Sequence, residues 1–214
     1  MVLENQRKNI DYILLPLAKK FIKIKPDYLT WVSLLFAFLA GLTFYLSNPD
    51  NELEKHFLLF ASFFVFLNGL FDALDGKIAK ITKTTSKRGD FLDHAIDRYS
   101  DVLIVGGLTL SSWCDIKLGL LALVGILLTS YMGTQAQAIG YKRDYSGLLG
   151  RADRLVLLMI IPIIQYLLLM LKVGLLWGLS LLEFMLIYFA IMGNITAIQR
   201  FYKTLSWLKR KKNG

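Results

Sequence analysis

The chain is poor in the residues that break helices and in those that cross-link secreted folds. Four prolines in 214 residues leave long stretches without a forced interruption. A single cysteine, Cys114, excludes an intrachain disulfide. It sits in "SSWCDIK" with no histidine or second cysteine beside it in sequence, so it is read as incidental rather than as a metal ligand or nucleophile. Charge is scarce as well: 19% of residues are charged and 55% hydrophobic, with a mean hydropathy of +0.50. That excludes an ordinary soluble domain. The net charge of +9 comes without basic residues interleaved with aromatics, so no nucleic acid is expected as a partner. No internal repeat or low-complexity tract is visible. Arg7, Lys8, Lys19, Lys20, Lys23 and Lys25 are spread through the first segment rather than ordered as a signal peptide, and none is expected.

What is present is a series of apolar runs, at residues 28–47, 56–76, 91–112, 117–139, 153–172 and 175–199, each near the ~20 residues that a helix needs to cross a bilayer core. The expected fold is an all-α integral membrane protein with six transmembrane helices preceded by an N-terminal amphipathic interfacial helix. Residues 1–25 form the interfacial segment, 26–204 the six-helix domain and 205–214 a basic tail expected to fray. In the first segment Ile10, Ile13, Leu14, Leu17 and Phe21 share one helical face. Pro16 predicts a kink or two short helices there, while Pro26 is expected to stop that segment and Asp27 to cap the first span. All Lys and Arg except Lys55, Lys117 and Lys172 fall on one side of this layout. The asymmetry predicts a multi-pass protein of the cell membrane with both termini and the active site cytosolic.

The stretch "FDALDGKIAKITKTTSKRGDFLDHAID", residues 71–97, concentrates charge at the edge of two apolar runs. Asp72 and Asp75 are three apart, Asp93 and Asp97 four apart, so each pair projects from one helix face. Two neighbouring antiparallel helices joined by the basic link would bring four carboxylates together. A solvated bend would account for two such aspartates. Four of them, with Gly76, Ala79 and Gly89 interleaved, point to hard divalent cations, because crowded carboxylates in low dielectric either protonate or recruit a cation. Asp90 reads as a first-turn residue suited to the helix dipole, Asp101 as a possible outer support, His94 as a bystander, and Arg98 as the partner of a carboxylate.

Asp72-x-x-Asp75-Gly76-x-x-Ala79-Lys80, then eight residues, then Gly89-x-x-x-Asp93-x-x-x-Asp97 resembles the signature of the CDP-alcohol phosphatidyltransferases, D-x-x-D-G-x-x-A-R-x8-G-x-x-x-D-x-x-x-D. Lys80 departs from it, standing where the family usually has Arg, so a forked phosphate contact becomes a point charge. The resemblance implies a two-ion Mg²⁺ or Mn²⁺ centre on Asp72, Asp75 and Asp93, with Asp97 shared between the second ion and the role of general base. It also implies a CDP-lipid site at Asp72, Gly76, Ala79, Lys80, Ser86 and Gly89. Asp27-Tyr28-Leu29-Thr30 would belong to that site, being similar to the family's P-[ND]-x-x-T element. A homodimer is implied in the same way.

A second basic loop, "SYMGTQAQAIGYKRDYSGLLGRADRL" at 130–155, with Arg200 in "AIQRFYK", bears on the acceptor. Arg143 is assigned to topology. Lys142, Arg151 and Arg200, with Arg154, are similar to the basic pocket by which inositol-phosphate-using members hold the acceptor's phosphate, and a dianion needs more than one cation. "GTQAQAIG" and "GLLGRADR" resemble the branch that makes archaetidylinositol phosphate or phosphatidylinositol phosphate. This implies CDP-archaeol or CDP-diacylglycerol as donor and myo-inositol 1-phosphate as acceptor. Glycerol 3-phosphate would also fit a phosphate pocket, serine would not need one, and a divalent-cation transporter would not need the glycines.

Overall fold

The computed structural model describes the backbone of residues 7–141, 147–173 and 178–212. These residues form α1 (Arg7–Phe21), α2 (Pro26–Leu46), α3 (Phe57–Ile81), α4 (Lys87–Thr109), α5 (Ile116–Ala138), α6 (Arg151–Met170) and α7 (Leu181–Lys212), with a 3₁₀ turn at Glu54–His56 before α3. There is no β-strand among the described residues.

The local chemistry explains where the helices start. Pro26 occupies the first turn of α2, where its missing N–H costs nothing and its fixed φ already suits the helix. Asp27, expected as a cap, lies inside that turn instead and pairs with Arg88 at 2.8 Å. Ser86 caps α4 by accepting from the Gly89 amide at 3.0 Å, and Asp115 caps α5 by accepting from the Lys117 amide at 2.8 Å. At α6, Asp153 reaches back to accept from the Gly150 amide at 3.1 Å.

Two expectations for the ends of the chain are corrected. α1 runs through Pro16 as one helix, with Pro16 on its exposed side, where the carbonyl it leaves unbonded can be solvated. Leu14 and Ala18 of α1 are buried against Leu29, Leu74 and Ile78, with Leu17 and Phe21 beside them; the side chains of Ile10 and Ile13 lie outside the described set. At the other end, α7 continues to Lys212 where a frayed tail was expected. Its last turn places cations at the negative end of the helix dipole, and Lys211 lies over the Trp207 ring at 5.1 Å.

α2 packs against α3 and α4, α3 against α6 and α1, α4 against α5, α5 against α7, and α6 against α7. The last six helices therefore form a closed circuit in the order α2, α3, α6, α7, α5, α4, and Phe44, Leu58, Ile104, Leu108, Ile126, Leu182 and Phe189 fill it. At the α2–α4 crossing, a Cβ on Gly107 would lie 2.1 Å from the Gly41 carbonyl oxygen, so the two backbones touch there. Among the described residues, five helices are long and apolar enough to cross a membrane: Pro26–Leu46, Glu54–Ile81, Ile116–Ala138, Arg151–Met170 and Leu181–Lys211. α4, the sixth expected span, is long enough at 23 residues but carries Lys87, Arg88, Asp90, Asp93, Asp97, Arg98 and Asp101 in its first four turns.

Candidate functional site

The starts of α2, α4 and α6 and the end of α3 meet at one end of the bundle. The four aspartates are there, on α3 and α4 as expected. α2 packs along both of those helices, and the carboxylates of α3 and α4 face one another across a space between them. Arg151, the first residue of α6, spans it. Its Nη1 is 2.7 Å from Asp72 Oδ2 and 2.6 Å from Asp97 Oδ1, so carboxylates from α3 and α4 contact the same nitrogen.

Asp75 is held from α2, where Thr30 Oγ1 donates to Asp75 Oδ2 at 2.5 Å. The negative charges of Asp72 and Asp93 both bear on it. Asp93, His94 and Asp97 present ligand atoms within 4.8 Å of one another. His94, read from sequence as a bystander, is thus at the site's rim, with Nε2 3.2 Å from Asp90 and Nδ1 3.5 Å from Asp93. The donor set is almost entirely carboxylate oxygen, which suits Mg²⁺ or Mn²⁺. Asp72 Oδ1 is moreover buried and accepts no hydrogen bond. A buried carboxylate oxygen with no donor is costly by itself and is satisfied by a cation, so the residues fit the implied ions.

Around this cluster the remaining expected residues separate. Gly76 is exposed, and a Cβ there would meet nothing within 4 Å, so packing within the chain gives no reason for the glycine; a ligand approaching the backbone does. Lys80 is exposed beside it, Ala79 is half-buried, and Ser86 and Gly89 are engaged with each other in the α4 cap. Tyr28 is 62% exposed, whereas Leu29 is buried in the α1–α2–α3 core and so is a packing residue.

The basic set is divided as well. Arg154 is only 3% exposed and bonds Asp101 at 2.9 Å, which makes it the partner of a buried carboxylate instead of a surface ready for phosphate. Arg98 lies 3.4 Å from both Asp97 and Asp101, as its expected pairing required. Arg200 is buried on α7 and donates to the Thr129 carbonyl at 2.7 Å. Lys142 lies outside the described residues. An open cavity of about 290 Å³ adjoins the site between α4 and α5, lined by His94, Arg98, Leu127, Ser130, Tyr131 and Thr134.

Two contributors were missed. Asn68 is fully buried one turn before Asp72 and donates to the Ser33 carbonyl at 2.9 Å and Ser100 Oγ at 3.4 Å, tying α3 to α2 and α4. Its signal was one amide inside the apolar run "FVFLNGLF". The other is the Asp27–Arg88 pair, which no local spacing announces.

With the geometry in place, the chain can be set beside known proteins. Residues 23–196 match the CDP-alcohol phosphatidyltransferase family. An archaetidylinositol phosphate synthase of Pyrococcus horikoshii is 30% identical over 181 residues, covering 84% of this chain and 83% of that protein. A phosphatidylinositol phosphate synthase of Cutibacterium acnes is 29% identical over 209 residues, covering 93% and 95%. Among solved structures, phosphatidylinositol phosphate synthase of Mycobacterium tuberculosis with CDP-DAG bound superposes with a TM-score of 0.71 at 24% identity, over 90% of this chain and 94% of that one. The same mycobacterial protein has been solved in complex with manganese and citrate, at a TM-score of 0.70.

Proposed function

The chain belongs to the CDP-alcohol phosphatidyltransferase family, and from that premise we propose that it transfers the lipid-phosphate group of a CDP-linked lipid to myo-inositol 1-phosphate, releasing CMP. The observation that carries this reading is the convergence of Asp72, Asp75, Asp93 and Asp97 from two helices onto one space, with Arg151 among them. The acceptor is supported by relatives named for inositol-phosphate lipids, and Arg151 and Arg200, with Lys142 as the sequence reading has it, are the cations proposed to meet its phosphate. CDP-archaeol and CDP-diacylglycerol are both candidate donors.

Asp72, Asp75, Asp93 and Asp97 would hold the two divalent ions. When bound, such ions neutralise charge on the attacked phosphate and on the departing CMP. Thr30 keeps Asp75 turned into the site. Gly76 lets the nucleotide approach the α3 backbone, while Lys80 offers it a positive charge and Asp27, Tyr28, Ser86 and Gly89 border it. Asp97 would take the proton from the acceptor hydroxyl as its oxygen attacks the β-phosphate in line. The new O–P bond forms as the bond to CMP breaks, and the products are a phosphodiester and CMP. Arg151 and Arg200, with Lys142, would grip the acceptor's phosphate. Arg154 acts behind them by holding Asp101.

The concentration of basic residues at the site's end of the bundle supports cytosolic termini and a cytosolic active site. A homodimer is proposed from the family resemblance and is checked by the mass of the purified protein in detergent.

The deciding experiment is CMP release by purified protein with each CDP-lipid against myo-inositol 1-phosphate, free inositol, glycerol 3-phosphate and serine. The expected result is strong preference for inositol 1-phosphate over inositol, because only the phosphorylated acceptor offers an anion to the arginines. Equal use of the two would refute the phosphate pocket, and a preference for glycerol 3-phosphate would reassign the acceptor.

A further inference from the structure

Arg151 touches two groups of opposite purpose. Its Nη1 is hydrogen-bonded to Asp72 and ion-paired with Asp97, which the proposed reading gives to the divalent ions, while that reading also gives its guanidinium to the acceptor's phosphate. It cannot do both at once with the same nitrogen. Nor can it shed its charge to make room for an ion, since a guanidinium stays protonated in proteins. A divalent cation that takes Asp72 Oδ2 and Asp97 Oδ1, the two oxygens Arg151 occupies, therefore displaces it.

The surroundings confine that movement to the side chain. Gly150 and Asp153 cap the helix on which Arg151 is the first residue, and Arg154, one turn on, is tied to Asp101 of α4. The start of α6 is thus fixed on both sides. Arg151 is less buried than Arg154, with its side chain 20% exposed against 3%, and its Nε, like that of Arg154, makes no hydrogen bond that would anchor it where it lies.

We propose that Arg151 is an exchangeable cation linking the two halves of the site: it neutralises Asp72 and Asp97 in competition with the divalent ions, and an ion that takes those carboxylates releases it to the acceptor's phosphate. Divalent ion and acceptor phosphate then bind with positive cooperativity, and linkage makes the effect reciprocal. The inference rests on the metal and acceptor roles proposed above. It adds an order to them, in which the phosphate-binding set is completed only once the ion is in place.

The test follows Mn²⁺ binding to the purified protein by the paramagnetic resonance of free Mn²⁺, without CDP-lipid and so without turnover. Wild type is expected to bind Mn²⁺ about tenfold more tightly in saturating myo-inositol 1-phosphate. Inorganic phosphate should produce the same direction of change and free inositol none, each against a protein-free blank. Arg151→Gln, which removes the competitor, is expected to bind Mn²⁺ more tightly than wild type in the absence of phosphate and to lose most of the response to it. Arg151→Lys should fall between the two. Mn²⁺ binding in Arg151→Gln that equals or falls below wild type would overturn the proposal, as would a wild type indifferent to both phosphates. Should Arg151→Gln fail to fold, the wild-type linkage and Arg151→Lys decide alone. A wild type that binds no Mn²⁺ refutes the metal reading and this inference together, whereas binding that ignores Arg151 and phosphate overturns only the inference.

Discussion

Thr30 on α2 donates its hydroxyl to Asp75 on α3 at 2.5 Å, so a proposed ion-holding carboxylate is aimed by a residue from a different helix. Thr30→Val keeps the shape and removes the donor. Hydrogen bonds to charged groups are worth about 1.5–3 kcal/mol, and outer partners of metal ligands about 10–100-fold in metal affinity. The variant is expected to fold normally and to need about 10–100-fold more Mn²⁺ for half-maximal CMP release. An unchanged metal dependence would show that Asp75 holds its orientation without Thr30.

Asp72→Asn, Asp75→Asn and Asp93→Asn are expected to lose both activity and Mn²⁺ binding, each losing several kcal/mol of transition-state stabilisation. Asp97→Asn should differ, because an amide still offers an oxygen but cannot accept the proton. Titration with a CDP-lipid analogue should show binding largely retained while CMP release fails. Loss of binding with ordinary residual turnover would move the base elsewhere.

Arg154 and Asp101 form a buried pair at 2.9 Å; removing Asp101 takes away the carboxylate that Arg154 faces, and removing Arg154 leaves Asp101 only the longer contact with Arg98 at 3.4 Å. Arg154→Met and Asp101→Leu are each expected to destabilise the protein by about 3–5 kcal/mol, and the double replacement to recover most of that. Thermal unfolding in detergent measures both. In a folded double variant the acceptor KM should stay near wild type. A steep rise in KM would return Arg154 to the phosphate pocket.

Gly107→Ala places a methyl 2.1 Å from the Gly41 carbonyl oxygen, where only helix backbone can yield. The α2–α4 crossing would open, at a cost of about 1–3 kcal/mol. A lowered Tm accompanied by weaker Mn²⁺ binding is the expected pair of results, since α2 holds Thr30 and α4 holds Asp93 and Asp97.

Burial raises the Cys114 thiol to about 11, so almost no thiolate exists at neutral pH. Alkylation by a maleimide is expected to be slow at pH 7 and to accelerate steadily up to that value. A fast reaction at pH 7 would mean that the turn between α4 and α5 opens in solution.

Much of this was legible in the sequence because the signals were local. Aspartates three and four apart specify a shared helix face, and long apolar runs delimited α2, α5 and α6 to within two residues, while α3 and α7 run on past theirs to Ile81 and Lys212. α4 was legible as a helix but fits poorly among the apolar spans, because the same charges that mark the site dilute its hydropathy. The division among the arginines was hidden. Arg151 and Arg154 lie in one short motif, and only the position of Asp101 across the bundle commits the second and leaves the first at the carboxylates. Leu29 was drawn into the expected nucleotide site by its place in a contiguous motif, although helix periodicity turns it toward Leu14 and Leu74. The short link between α3 and α4 announced their neighbourhood but not that α2 supplies most of the packing for both helices.

The Asp101–Arg154 pair also bears on how the chain is assembled during synthesis. α4 is charged through its first four turns, and a lone acid at membrane depth costs an isolated helix about 2.5–3.5 kcal/mol. Its contact with α2 is available early, because α2 is made first. Arg98, one turn earlier on α4 and 3.4 Å from Asp101, is present from the start, but the closer partner, Arg154, comes later, on α6, after α5 has been synthesised. α4 must therefore stay against α2, through surfaces such as Gly41 and Gly107, until Arg154 arrives. The ribosome thus delivers the least lipid-compatible helix well before Arg154, the closest cation to Asp101, and a truncation ending before α6 should leave α4 prone to slip out of the bilayer and the nascent chain exposed to quality-control proteolysis.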